Sequence, residues 1–358
     1  MMAIVHDLAA LAPIGPLTDW LDAHVPQLGK GPLTTAVLSG GTSNVVLTID
    51  RGGKPMVLRR PPAVPPPGAE KGVLREARIL AALGQTEVPH PACHGSCDDP
   101  AVIGAPFYVM DKVEGWAPHL RDEKIHNAPP FDRMPCIYGI PFAILDGLIA
   151  LANIDYQAIG LEGYGKPDGF LARQVDRWSG QIASYKDRYG YEGRHLPGFA
   201  ETEEWLRGST LPKQVDGIIH GDVGTPNMMF RHGPPPKLAA MIDWELSTIG
   251  DPMIDLGWFT GSMRDEDNPG AVSETALNDP ALFPTRQELA RYYCAGTGRN
   301  IADFAWFSIL ARFKSGCLLE YKVAQAAAGH LPAETGRFFA RIVEQCFADG
   351  AAQIARMT

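Results

Sequence analysis

Between residues 217 and 245 the chain sets polar residues at a spacing that suits one kind of chemistry. The triplet His220-Gly221-Asp222 is followed after four residues by Asn227, and Asp243 comes sixteen residues beyond that amide. Two carboxylates and a carboxamide offer hard oxygen atoms to a divalent cation and an acceptor for a hydroxyl proton, the equipment of metal-assisted phosphoryl transfer. Three short apolar runs flank them: Gly217-Ile-Ile219, Met228-Met-Phe230 and Leu238-Ala-Ala-Met-Ile242. Read as strands, they would fix the polar residues on rigid elements.

The elements upstream must serve the same chemistry. Residues 33–39, 45–50 and 55–60 read as strands, the last two joined by the turn Arg51-Gly-Gly-Lys54. Between the first two lies Ser39-Gly-Gly-Thr-Ser-Asn44, whose glycines permit close backbone approach and whose hydroxyls and amide can donate to phosphate; an ordinary Gly-rich hairpin turn is the plainer reading of that segment alone. On the third strand a period of two puts Val57 and Arg59 on one face and Leu58 and Arg60 on the other. A helix over 69–83 carries the apolar stripe Val73, Leu80, Leu83, and Glu76 falls inside that stripe. A carboxylate on a buried face requires a partner, and Arg59 is the candidate. The Pro-rich stretch 61–67 reads as an extended spacer. Residues 107–115 read as a buried strand running into a hinge. Helices are expected over 141–155, 169–188, 201–207, 254–263, 285–295, 303–327 and 333–355, and the polar segment 116–135 as a flap or a surface loop. His90, Cys93, His94 and Cys97 crowd into one short segment, yet structural zinc sites recruit paired ligands from separate segments, so thiols on a strand are expected there.

The three ordered motifs, His220-Gly-Asp222 with Asn227, Ile242-Asp-Trp-Glu245 and Gly250-Asp-Pro-Met-Ile-Asp-Leu256, resemble the signature of the aminoglycoside phosphotransferase and choline kinase-like family of the protein-kinase-like superfamily. Val57-Leu-Arg-Arg-Pro-Pro62, Gly104-Ala-Pro-Phe-Tyr-Val-Met110 and Gly169-Phe-Leu-Ala-Arg-Gln-Val-Asp-Arg-Trp178 look like the subgroup related to kinase domains fused to acyl-CoA dehydrogenases. The resemblance implies an α+β, bilobal protein-kinase-like fold. Its small β-rich amino-terminal lobe with one key helix would cover 1–113, and its larger, mainly helical carboxy-terminal lobe 114–358.

The same resemblance implies the roles. Asp222 would serve the acceptor hydroxyl, and Asn227 and Asp243 would hold Mg2+. Gly40, Gly41, Thr42, Ser43, Asn44, Arg59, Glu76, Met110 and Lys112 would bind ATP or GTP, and His220 and Asp255 would support the catalytic loop. Arg59 stands where kinases keep a lysine; its planar fork can hold phosphate, with a different geometry. The implied activity is a Mg-dependent small-molecule kinase acting on a metabolite hydroxyl, with a hydroxyacyl-CoA as candidate acceptor. The rival readings are an aminoglycoside-type antibiotic phosphotransferase and a catalytically silent kinase-like scaffold.

Composition is compatible with this. The 358 residues, 45% of them hydrophobic, exceed one typical domain and can bury an ample core. A net charge of -9 lacks the basic footprint of a nucleic-acid or anionic-membrane partner. Six scattered cysteines suit reduced thiols, and Met1-Met-Ala-Ile-Val-His-Asp7 lacks the pattern of a secretory signal, so a cytoplasmic location is the expectation.

Overall fold

Strand-forming, β-branched runs separated by Gly-containing turns dominate the first third of the chain, and helical apolar stripes dominate the remainder. The computed structural model describes residues 8–40, 44–65, 68–121, 124–265 and 281–357, and the backbone alone for 39, 40, 120, 121 and 124. In chain order the elements are α1 (Leu8–Leu11), α2 (Ile14–His24), β1 (Leu33–Gly40), β2 (Val45–Arg51), β3 (Pro55–Arg60), α3 (Ala69–Leu83), β4 (Cys93–Cys97), α4 (Pro100–Ile103) and β5 (Phe107–Asp111). There follow β6 (His119–Arg121), β7 (Lys124–His126), α5 (Cys136–Ala152), α6 (Gln174–Tyr189), α7 (Phe199–Gly208), β8 (Gly217–Ile219), β9 (Met228–Phe230), β10 (Leu238–Met241) and β11 (Thr248–Gly250). The last helices are α8 (Met253–Gly261), α9 (Arg286–Thr297), α10 (Phe304–Ala327) and α11 (Ala333–Ala355). They form two compact units: 1–115 with 157–161 and 239–247, and the rest.

The first unit is built on a five-stranded antiparallel sheet in the order β1-β2-β3-β5-β4. Leu47 and Leu58, paired across β2 and β3, share one apolar cluster with Leu17, Trp20 and Leu21 of α2 and with Phe107 and Val109 of β5. That leaves Val57 and Arg59 for the opposite face, where α3 packs with Val73, Ala77, Leu80 and Leu83 buried. The period-two reading of β3 therefore holds. Arg60 is buried as well: its guanidinium donates to the carbonyls of Leu11, Ile103 and Pro61 and ties the amino-terminal segment to the sheet.

The second unit is mainly helical. α10 runs through it, packed by α6, α7, α8 and α11, with Phe307, Leu310, Phe313 and Cys317 in its core. Gly257 of α8 permits the close crossing with α10, since a Cβ there would lie 2.6 Å from the carbonyl oxygen of Phe307. A β8–β11 antiparallel pair opposes Ile219 to Thr248 and sets the start of the polar segment. The helix expected to begin at Pro141 begins at Cys136, and the buried Pro141 lies inside it. Proline prefers a first turn, but here Ile137 and Ile140 bury their side chains in the preceding turn and offset the lost hydrogen bond. The segment 116–135 contains the hairpin β6–β7, with His119 and His126 stacked across it, and Trp116 bridges to Phe230. Among the described residues no helix is long and apolar enough to cross a membrane.

Candidate active site

Residues of the first unit gather around Arg59. From β3 its Nε lies 3.0 Å from Glu76 Oε2 on α3, the pair that the buried position of Glu76 and the family resemblance implied. Its Nη2 donates to Asp243 Oδ1 at 2.8 Å and reaches Glu245 Oε2 at 3.3 Å. Glu76 accepts the backbone N–H of Trp244 on Oε1 at 3.1 Å, so the same carboxylate fixes the helix, the arginine and the segment carrying Asp243. Asn44 donates to Glu245 at 3.3 Å from the start of β2. Asp243 has φ 66°, the one positive φ of a non-glycine residue among those described. That left-handed backbone is costly for a side-chain-bearing residue and marks a position held by its surroundings.

The electrostatics follow from burial. Glu76 is 1% exposed, and desolvation pushes it up to about 7 against the pull of Arg59. Desolvation alone would lower Arg59, but Glu76, Tyr108 and Asp243, in that order, overcome it and hold the guanidinium above its ordinary value. Gly41, Thr42 and Ser43 lie outside the described residues. Gly40 ends β1 opposite Val45, Met110 lies in β5 opposite Val57, and the exposed Lys112 follows that strand.

Residues of the second unit gather around the turn after β8. His220 and Gly221 donate their backbone N–H groups to the two oxygens of Asp255, at 2.7 and 2.9 Å, so one buried carboxylate from α8 fixes the peptide that presents Asp222. Gly221 has φ 89°, which favours glycine. His220 is fully buried, and its Nδ1 lies 3.3 Å from the N–H of Asp222. A turn of 3-10 helix over Thr225–Asn227 brings Asn227 back, and its Nδ2 donates to both the carbonyl and Oδ2 of Asp222 at 2.9 Å. Desolvation pushes Asp255 up to about 6, opposed by its two backbone donors and by Lys314.

Each unit offers oxygen atoms of the kind a divalent cation takes. Asn227 is held by its NH2 end, which leaves its hard carbonyl oxygen as the free end. Asp243 offers a carboxylate that is one-third exposed.

Two features escaped the sequence reading. Lys314 of α10 lies beneath the turn, its Nζ 3.4 Å from the Gly221 carbonyl and 4.0 Å from the Trp258 ring centroid. The one available signal was a lysine inside the apolar run 304–319. A cavity of about 430 Å3 also opens beside Asp222 and Asn227, walled by Trp258, Leu318, Phe339 and Ile342. Glu245 and Asp251 differ in surroundings: Glu245 joins the Arg59 cluster, whereas the fully buried Asp251 accepts from Val215, Met253 and Arg299 and braces the backbone before β8.

The model of the phosphotransferase enzyme family matches residues 34–292. Acyl-CoA dehydrogenase family member 11 of Gallus gallus is 31% identical over 333 residues, covering 89% of this chain and 40% of that protein, so the chain spans about two-fifths of the length of that relative. Among solved structures, an aminoglycoside phosphotransferase candidate of Ralstonia eutropha is 28% identical with a TM-score of 0.76, covering 94% of this chain and 98% of that one. A thermostable mutant of aminoglycoside phosphotransferase APH(4)-Ia, in ternary complex with AMP-PNP and hygromycin B, superposes with a TM-score of 0.54 at 15% identity over 92% and 98% of the two chains, a likeness of fold. The chain has the kinase-like fold and belongs to the phosphotransferase enzyme family, whose chemistry is phosphoryl transfer to an alcohol group.

Proposed function

We propose that the chain is a Mg-dependent small-molecule kinase that moves the γ-phosphate of ATP or GTP to a hydroxyl of a metabolite. The observation that carries the reading is the locked Asp222: its peptide is pinned by Asp255, its carboxylate is oriented by Asn227, and a cavity opens at its side. In this reading Asp222 accepts the acceptor's hydroxyl proton, Arg59, oriented by Glu76, holds the α- and β-phosphates, and Gly40, Gly41, Thr42, Ser43 and Asn44 contribute to nucleotide binding. Asn227 and Asp243 hold Mg2+, which when bound neutralises phosphate charge. Met110 and Lys112 line the strand end that receives the base, and His220 and Asp255 keep the loop in place.

The cavity bears on the acceptor. Among its described lining residues Asp222 is the one acid, and Trp258, Leu318, Leu319, Phe339 and Ile342 give it an apolar wall beside the hydroxyls of Ser262 and Ser315. A polycationic aminoglycoside finds little there to neutralise it, whereas an alcohol with an apolar chain can bury that chain against Trp258, Leu318 and Phe339. A hydroxyacyl-CoA meets that description, and the relationship to proteins named as acyl-CoA dehydrogenase family members supports it. The test is nucleotide consumption with Mg2+ and ATP or GTP, run against hydroxyacyl thioesters, aminoglycosides, choline and sugars. Asp222→Asn should lower turnover by about 10²- to 10⁴-fold with nucleotide affinity retained. Phosphorylation of an aminoglycoside without activity on any hydroxyacyl thioester would overturn the acceptor, and Mg-nucleotide binding without turnover on any acceptor would favour a silent scaffold.

A further inference from the structure

Four elements of the second unit converge on one ammonium. Lys314 leaves α10 in the middle of an apolar stretch and enters a slot between Trp178 of α6 and Trp258 of α8, its Nζ 5.5 Å from the first ring centroid and 4.0 Å from the second. An ammonium so placed loses water contacts, a cost that aromatic faces and nearby carboxylates must offset. The groups facing it are the carboxylates of Asp255 and Asp222 and the guanidinium of Arg177. Burial lowers it to about 8, against the raising pull of those two carboxylates, so at neutral pH the cation is retained.

The Gly221 carbonyl oxygen of the turn lies 3.4 Å from Nζ. The N–H of that same residue is held by Asp255 at 2.9 Å. Gly221 is thus gripped at both ends, by an anion on its N–H and a cation on its C=O, one residue before Asp222. The long Nζ–O separation makes the second grip an ion–dipole attraction more than a formed hydrogen bond. It acts on a glycine whose backbone is otherwise the freest to rotate.

We propose that Lys314 is a positioning residue for the catalytic loop: from its aromatic slot its charge fixes the Gly221 peptide opposite Asp255 and so sets the direction in which Asp222 is presented. It touches no reacting atom. The inference rests on the reading of Asp222 as the group serving the acceptor hydroxyl, so its test needs one measurement that requires no turnover.

Lys314→Met keeps the length and packing of the side chain between the two indoles and removes the charge; Lys314→Arg keeps the charge. Hydrogen exchange of the backbone segment 218–223 is measured first. The Met variant should exchange faster there by at least tenfold, with the remainder of α8 and α10 unchanged, and the Arg variant should recover most of the protection. Exchange unchanged in the Met variant, or equally fast in both variants, would overturn the proposal. Steady-state kinetics then separate the two readings: kcat should fall at least tenfold in the Met variant at an unchanged nucleotide KM, with recovery in the Arg variant. A Met variant with kcat within twofold of the parent would overturn the positioning role. A parent protein that transfers phosphate to no acceptor would sink the kinase reading, and the exchange result would still decide Lys314.

Discussion

One guanidinium faces three carboxylates, and removing it changes the state of each. Glu76 is almost fully buried, so Arg59→Ala would leave an unpaired charge inside the first unit. Breaking such a pair costs about 3–5 kcal/mol, because the remaining ion keeps its desolvation penalty and loses its partner. Urea unfolding should show that loss for Arg59→Ala, and Arg59→Met combined with Glu76→Gln should recover much of it. A double variant as unstable as the single one would mean that the pair is not the source. The single variant should also weaken nucleotide binding. Asp243 belongs to the same network, with Arg59 on one oxygen and a strained backbone beneath. Asp243→Asn preserves the shape and removes the charge, so nucleotide affinity should drop about tenfold in the presence of Mg2+ and change little without it. Calorimetric titration under both conditions checks this, and equal losses would remove Asp243 from the metal's ligands.

At the scale of elements the site depends on how closely α8 approaches α10, because α8 carries Asp255 and α10 carries Lys314. Gly257 sets that distance, and the atom a Cβ would strike is a backbone carbonyl, which cannot rotate aside as a side chain could. Gly257→Ala should therefore separate the helices, costing about 1–3 kcal/mol as other overpacked cores do. It should also lower kcat with every functional side chain still present. A variant of parental melting temperature and kcat would show that the crossing relaxes freely. The same helices show what the sequence could and could not disclose. The bounds of α3, β3, β8, β9 and α11 were readable because each has an apolar period and a clear start or stop; the two periods put Glu76 on a buried face and Arg59 and Arg60 on opposite faces, and the family resemblance implied the Arg59–Glu76 pair. α10 is apolar almost all round, so its periodicity names no single inward face, and the direction of Lys314 depends on which helices surround it. The cavity beside Asp222 was hidden for a similar reason. Its walls come from residues 222–227, 258–262, 315–319 and 339–346, which only tertiary packing brings together. Pro141 misled because a local preference for a first turn was outweighed by burial of the residues before it.

Over the whole molecule the buried carboxylates give stability a definite pH dependence. Glu76 is raised from 4.5 to about 7 and Asp255 from 3.8 to about 6, both by desolvation first. A raised acid binds its proton more tightly in the folded chain than in the unfolded one, so between the two values folding takes up protons. Its contribution is complete below the unfolded value and disappears as pH rises through the folded value, a window of roughly pH 4 to 7 here. A tenfold difference in proton affinity between the folded and unfolded chain corresponds to about 1.4 kcal/mol, so the two acids together can move stability by a few kcal/mol. The net charge acts in the same direction: a chain at -9 at pH 7 becomes less negative as pH falls, which relieves repulsion in the compact state. Stability from urea unfolding should therefore fall between pH 5.5 and pH 7.5. Glu76→Gln should flatten that slope, since the amide keeps a carbonyl acceptor for the Trp244 N–H and carries no titrating proton. The slope separates causes that a single melting temperature would merge: a fall that persists undiminished in Glu76→Gln assigns the effect to Asp255 and general charge repulsion, and a flattened one assigns it to the carboxylate buried between α3 and Arg59.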